Sequence, residues 1–308
     1  MGIIVPEIAA DPLKADFDWF VSQLSVSEFA RGEPKGSLLT LDHRRVLLEI
    51  LKARRDVMLV PVSLNLERDD PSFFAHAPLK VRELIESNLP LESPHMSREQ
   101  RAKLARRFGR LSGPAMVRLV AHGIAISKAI EALACRYNCS RFYSDCEDIS
   151  FTFDRVGRVG SREQLIFLDS FVGWISNWSR SVPIKIPPDL GESHPLLVRY
   201  GRRDSGRLVF DLRKMLSGKI AFEDSKQVWQ LRLADFVVST WSRAIADYDG
   251  STGCRELFRG LYRKSALPCE TPLGLVGASD RTECVPGPHH LEIFARMVVG
   301  ESKILPCG

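Results

Sequence analysis

The chain has 308 residues, 44% of them hydrophobic and 26% charged, which is enough apolar material to bury a core and excludes a disordered or collagen-like polymer. Lys plus Arg exceed Asp plus Glu by 43 to 38, a net charge of +5; this permits an anionic partner but lies far below the charge of a dedicated nucleic-acid coat. The 7 cysteines are odd in number and scattered, which argues against a disulfide framework and for reduced thiols in the cytoplasm.

In chain order, residues 3–5 are a short β-branched run stopped by Pro6 and predict a strand with no strand beside it on one side. The opening run MGIIVPEIAADPLKADF lacks the basic region of a signal peptide. Residues 16–24 have helical spacing at Phe17, Phe20, Val21 and Leu24, and the turn-rich RGEPKGS follows over 31–37. Val46, Leu47, Ile50 and Leu51 predict an amphipathic helix over 41–53 that starts near Thr40 or Asp42. VMLVPVSLNL, residues 57–66, reads as a buried strand that Pro61 interrupts with a bulge or turns into an edge.

Residues of about 71–137 read as a helical insertion, with a short helix at 79–87 and longer ones at 97–111 and 115–137. In the second of these Lys103, Arg106, Arg107 and Arg110 form a basic stripe beside an apolar one at Leu104, Phe108 and Leu111. The third is interrupted by Arg118, His122, Lys128 and Glu131, so it is no membrane span. Residues 149–154, ISFTFD, alternate and end in an acid, the pattern of a strand that delivers a carboxylate to its C-terminal edge. A helix is predicted at 164–178 and short strands at 183–187, 207–210 and 219–222. Residues 230–248 predict a helix with its apolar stripe at Leu233, Ala234, Val237, Val238, Trp241 and Ala244. From 251 to 308 periodicity weakens and Gly, Pro and Cys become frequent, which reads as an irregular C-terminal extension beyond a domain at 1–250. Strands alternating with helices predict an α/β fold with a mixed sheet.

The segment FEDSKQVWQLRLADF, residues 222–236, raises a chemical question, because Asp235 falls among leucines and valines. Helical spacing puts Asp235, Ser239 and Ser242 on a stripe about 100° from the apolar face, at the margin of the core. Taken alone, Asp235 is a boundary acid satisfied by water or an arginine; a metal ion is the other compensator.

The wording of that segment, DSK, a spacer and L-x-LAD-F on a helix, resembles the C-terminal signature of the family catalogued as domain of unknown function 3800, whose usual form has glutamine where this chain has Arg232. GEPKGS resembles that family's Glu-x-Lys-Gly segment, VMLVPVSLNL stands in the place of its next strand, and FTFDR resembles its strand ending in an acid. The resemblance spans residues 1–248 and implies a ribonuclease H-like sheet flanked by helices. It further implies Glu33, Asp154, Asp224 and Asp235 as acids of a catalytic site, with Glu33, Asp154 and Asp235 as ligands of Mg2+ or Mn2+ and Asp224 a ligand or a helix-capping acid. Paired divalent ions about 4 Å apart generate hydroxide and stabilise the leaving oxygen in phosphodiester hydrolysis, and hard oxygen ligands hold them. Lys35 and Lys226 would contact phosphate, and similar proteins suggest a mobile-element or phage-related setting. The family opens with a strand bearing Asp-Glu-Ser, whereas this chain begins at what reads as the next strand; the resemblance implies either a longer chain or a site without that acid.

Other signals are weaker. The basic stripe is a solvated helix face or, on a second reading, the contact surface of a non-catalytic nucleic-acid-binding or protein-interaction protein. Cys135, Cys139 and Cys146 lack a CxxC pair, and Cys284 with His289 and His290 is half a site, which argues against structural zinc. His43 and His122 read as packed or solvent-tipped side chains rather than ligands.

Overall fold

Val57 to Val60 is apolar at every position, and a strand covered on both faces needs such a run. The structure, a computed structural model, describes residues 2–60, 62–63, 78–79, 82–83, 98–136, 148–155, 161–168, 191–204, 206–248, 250–264 and 274–275. In it Met58–Val60 (β4) pairs antiparallel with Gly2–Ile4 (β1), Ile3 opposite Leu59. Alternate residues then serve two cores: Val57 and Leu59 belong to one, Met58 and Val60 to the other. The N-terminal strand thus has its neighbour in β4.

The first core joins α1 (Glu7–Ser22), α2 (Leu41–Ala53), α8 (Trp229–Ala246) and α9 (Thr252–Arg263). Leu13, Phe17, Phe20, Leu47, Leu51, Leu233, Phe236, Val237, Leu257, Phe258 and Leu261 are all fully buried in it. Phe236 stands edge-on to both Phe17 and Phe20, at 5.5 and 6.0 Å between ring centroids, the arrangement favoured by the aromatic quadrupole. The second core joins α3 (Arg98–Phe108), α4 (Gly113–Arg136), α5 (Arg162–Ile166), α6 (Pro195–Tyr200) and α7 (Leu212–Leu216). The inner faces of β6 (Phe151–Asp154) and β9 (Ile220–Glu223) complete it.

Two sequence expectations are corrected. Helix α1 begins nine residues earlier than the predicted start at 16 and contains Pro12. The proline forfeits one backbone hydrogen bond, but Ala9 and Leu13 on either side of it are buried, and that burial carries the helix through. Residues 251–264 are no irregular extension: α9 packs against α2 and α8. Glycines that read as breakers are what let it do so. A Cβ at Gly260 would lie 2.3 Å from Leu48 Cδ2, and one at Gly253 would lie 2.8 Å from Leu41 Cδ2, so the bare backbone is what admits the α2 leucines. Within the stretch at 57–66, β4 is joined by β5 (Val62–Ser63), which pairs parallel with β10 (Gly274–Leu275).

Helix α2 spans the predicted residues, with the Thr40 hydroxyl accepting from the His43 amide at 3.3 Å. Helices α3 and α4, strand β6 and helix α8 fall within three residues of their predicted bounds. The predicted strand at 207–210 is β8 (Arg207–Phe210), which forms a hairpin with β7 (Gly201–Asp204). Among the described residues the strands pair two by two, and the chain is a mixed, largely helical α/β protein. The expected strand at 183–187, the helix beyond 168, and Cys139, Cys146, Cys284, His289 and His290 lie outside the described residues. No helix among the described residues is long and apolar enough to cross a membrane.

Candidate functional site

Strands β6 and β9 run parallel, with Phe151, Thr152, Phe153 and Asp154 opposite Ile220, Ala221, Phe222 and Glu223. The Arg155 amide donates to the Glu223 carbonyl at 2.8 Å and extends the pairing past the acids. Alternation sends Phe151, Phe153, Ile220 and Phe222 to the core and leaves Asp154 and Glu223 exposed on the opposite face. The two carboxylates are therefore neighbours at the carboxyl ends of adjacent strands, where the backbones run about 5 Å apart. Among the described residues neither has an ion-pair partner, and like charges so placed repel.

Asp224 follows and is differently occupied. Its Oδ1 accepts the Lys226 amide at 2.9 Å, its carbonyl accepts the amides of Gln227 and Val228 at 2.9 and 3.1 Å, and its Oδ2 pairs with Arg155 at 3.4 Å. This is the self-bonding turn that aspartate favours. It swings the chain from β9 towards α8, whose N-cap is Val228 without a side-chain cap, so Asp224 caps this turn and not the helix. Lys226 is exposed beside it.

Helix α8 packs against β6 and, more extensively, against the short helical turn Gly36–Leu38. On its polar stripe Asp235 is exposed, and its Oδ2 accepts the Gly36 amide at 3.2 Å. Residues separated by 199 positions meet there, joining the GEPKGS and LAD segments. Only glycine allows the approach: a Cβ on residue 36 would lie 2.8 Å from the Asp235 carbonyl and 2.9 Å from both Phe236 Cα and Ser239 Cβ. Asp235 is thus open to solvent, and one of its oxygens takes this amide. Just upstream, Phe29–Ala30 (β2) and Glu33–Pro34 (β3) form a hairpin. Arg31 and Gly32 both have positive φ, 55° and 75°, as the tightest hairpin turn demands. Glu33 is paired with Lys35 at 2.9 Å, so the lysine expected on phosphate here neutralises the glutamate.

A buried charge network holds this turn in place. Glu28 is fully buried. It accepts from the amide and hydroxyl of Ser25 (both 3.0 Å), the amide of Thr40 (2.9 Å) and, with the ring nitrogen as donor, from His43 Nδ1 (2.6 Å). Burial alone raises the Glu28 pKa, but the bonds from Thr40, His43 and Ser25 outweigh it and bring it from 4.5 down to about 2. Arg44, 4% exposed, donates to the carbonyls of Leu39 and Gly36 at 3.0 Å each and to the Thr240 hydroxyl at 3.3 Å. It ties the turn to both α2 and α8. Burial, then repulsion from Arg243, lowers its pKa.

Behind the strand pair, His122 of α4 lies among Phe153, Phe167 and Phe222, with ring centroids 4.4, 5.6 and 6.2 Å away. Its Nδ1 has no partner among the described residues. Burial lowers its pKa from 6.5 to about 4 against the opposing pull of Glu163. Glu163 itself is clamped to Arg118 at 2.8 and 2.7 Å, joining α4 to α5. On α3, Lys103 and Arg106 are exposed, as is Arg110 just beyond its end, and Arg107 is half-buried; Ala105 and Phe108 face the core.

The structure thus brings Asp154 beside Glu223 and places Asp224 at the same strand end. Asp235 is tied to the turn beside the Glu33 hairpin. Among the described residues no three His, Cys, Asp or Glu side chains converge closely enough to hold a metal ion. Sequence reasoning overlooked Glu223, although the FED triplet spells it next to Asp224. It also overlooked the Glu28 and Arg44 network, although Ser25-Val26-Ser27-Glu28 is a capping-box pattern, which the structure forms. Compared with known proteins, the chain matches no family model, no curated protein and no solved structure.

Proposed function

We propose that this chain is a metal-dependent, ribonuclease H-like nuclease that hydrolyses nucleic-acid phosphodiesters. The observation that carries the reading is the parallel pair β6 and β9, ending side by side in Asp154 and Glu223, with α8, the bearer of Asp235, packed against β6. Carboxylate oxygens from two adjacent strands and a late helix are the hard donors that Mg2+ or Mn2+ requires. Two exposed like charges without a described counter-ion are an arrangement that a cation stabilises. Asp154 and Glu223 would supply the first ligands; Asp235, which does not converge with them among the described residues, would join only by moving closer, and Glu33, held on Lys35, only by exchanging that partner. Bound divalent ions would activate water and stabilise the leaving oxygen. The chain's own contribution is to hold Asp154 and Glu223 on a paired strand end and Asp235 on a helix pinned by Gly36, while Arg155 keeps Asp224 in the turn.

A second reading, a non-catalytic nucleic-acid-binding protein, draws on the exposed cations Lys103, Arg106 and Arg110 with Arg107. One experiment separates the two. Purified chain with Mg2+ or Mn2+ should cut labelled single-stranded or duplex DNA or RNA, and Asp154→Asn and Asp235→Asn should each reduce cleavage about 100-fold or more. Absence of cleavage on every substrate, or equal cleavage by the variants, defeats the nuclease reading. Binding that weakens with salt and with reversal of Arg106 and Arg107, without cleavage, favours the second.

A further inference from the structure

Residues 199–219 hold seven Lys or Arg and two Asp, an excess of five, as large as the chain's whole net charge of +5. Helix α6 (Pro195–Tyr200) leads into the hairpin of β7 (Gly201–Asp204) and β8 (Arg207–Phe210), which returns the chain to α7 (Leu212–Leu216). The Asp211 amide donates to the Tyr200 carbonyl at 2.7 Å, so the end of α6 and the start of α7 stand side by side. Leu197, Tyr200, Phe210 and Met215 fasten this unit to the second core. Little within it offsets the charge. Asp211 is used as the cap of α7, its Oδ1 accepting the Lys214 amide at 3.1 Å. Two cations find acids beyond the unit: Arg203 pairs with Glu192 at 2.6 Å, and Lys219 pairs with Asp148. Arg199, Arg213 and Lys214 are exposed and have no ion-pair partner among the described residues. The Arg199 guanidinium is held over the Tyr200 ring, 5.7 Å from its centroid. Like charges gathered on one small unit repel one another, and an anionic partner removes that cost.

We propose that the α6–β7–β8–α7 unit is a docking surface for a nucleic-acid backbone, with Arg199, Arg213 and Lys214 as its phosphate contacts. The cations stand on successive elements rather than around one point, which suits a polymer with phosphates repeated along its length better than a single small anion. Five of the seven are arginines, whose planar fork matches phosphate oxygens. A membrane surface would call for an apolar face beside the charge, and Val198 is the one large apolar side chain exposed among the unit's described residues. That the docked backbone is the substrate of the strand-end acids rests on the nuclease reading; the docking surface itself does not.

The test is run on the full chain in EDTA, where binding is measured without cleavage. Fluorescence anisotropy of a short labelled oligothymidylate is followed against salt for the parent and two double variants. Arg213→Gln with Lys214→Gln should weaken binding about tenfold or more at about 0.1 M salt and flatten the log–log salt dependence by about 1.4, two phosphate contacts' worth. Lys14→Gln with Lys52→Gln removes the same charge from exposed sites on α1 and α2 and should bind as the parent does. No binding by the parent, an unchanged slope in the first variant, or an equal loss in the second overturns the proposal. So does displacement of the oligonucleotide by polyglutamate at equal charge concentration, or tighter binding to phosphatidylserine vesicles, since either makes the surface one for another polyanion. If the first variant fails to fold, Arg199→Gln decides: a slope flattened by about 0.7 supports the surface, and an unchanged one overturns it. Cleavage by the parent in Mn2+ with unchanged binding by the first variant would keep the nuclease reading and defeat this one; weakened binding without any cleavage by the parent does the reverse.

Discussion

Glu28 and Glu223 are the same residue in opposite circumstances. Glu28 is sealed from solvent and takes four hydrogen bonds, from Ser25, Thr40 and His43; Glu223 is exposed beside Asp154. A buried charge persists only when its surroundings saturate it, and such a group serves the fold. Two adjacent carboxylates with no ion-pair partner among the described residues serve the fold poorly and leave their lone pairs for something else. The contrast separates the acids that build the turn at 36–40 from those that could do chemistry beside it.

The largest effect should come from the saturated cluster. Glu28→Ala leaves the Ser25 and Thr40 amides and the His43 ring without their acceptor, and the loss should be about 3–5 kcal/mol in urea unfolding. Asp154→Asn, at the other extreme, should leave stability within about 0.5 kcal/mol, because it removes a repulsion rather than a bond. A similar penalty for both variants would erase the distinction.

Acid should expose the next difference, and the signs agree. Folding holds His122 neutral, with its pKa near 4 against an ordinary 6.5, so the unfolded chain binds more protons between those values. Stability therefore falls as pH drops from 6.5 towards 4. Glu28, lowered from 4.5 to about 2, contributes stability that is complete above 4.5 and is lost as pH falls through that range towards 2. The His122→Phe variant should flatten the first segment of the unfolding-stability profile and leave the second; an unchanged slope between pH 6.5 and 4 would show that His122 does not titrate there.

The sequence disclosed elements wherever one period dominated. Leu47 and Leu51 on α2 and Leu233, Val237 and Trp241 on α8 mark apolar stripes that no turn residue interrupts, and those helices stand where the spacing put them. It misled where a residue's usual role was overridden by packing. Helix α1 runs through Pro12 and starts nine residues before the expected 16, and α9 forms with Gly253 and Gly260 inside it. Their effects were decided by partners distant in sequence, the α2 leucines in the case of the glycines. At the site, Asp154, Asp224 and Asp235 were legible as acids, but their different occupations were not. Whether a carboxylate faces an arginine, an amide or another acid depends on strand register and helix docking, which no local pattern encodes. Glu33 and Lys35 illustrate this: two residues assigned to separate tasks neutralise each other.

The central claim, that the strand-end acids take a divalent cation and draw Asp235 in to complete its ligands, is tested most directly by thermal unfolding across a Mn2+ titration. A ligand bound only by the folded chain stabilises it by mass action, about 2.7 kcal/mol at a hundredfold excess over its dissociation constant. The melting temperature of the parent chain should rise with Mn2+ and saturate, and Asp154→Asn and Asp235→Asn should each abolish or sharply weaken that rise while folding normally. A parent chain that Mn2+ leaves unmoved, or variants that respond as fully as the parent, would contradict the metal site.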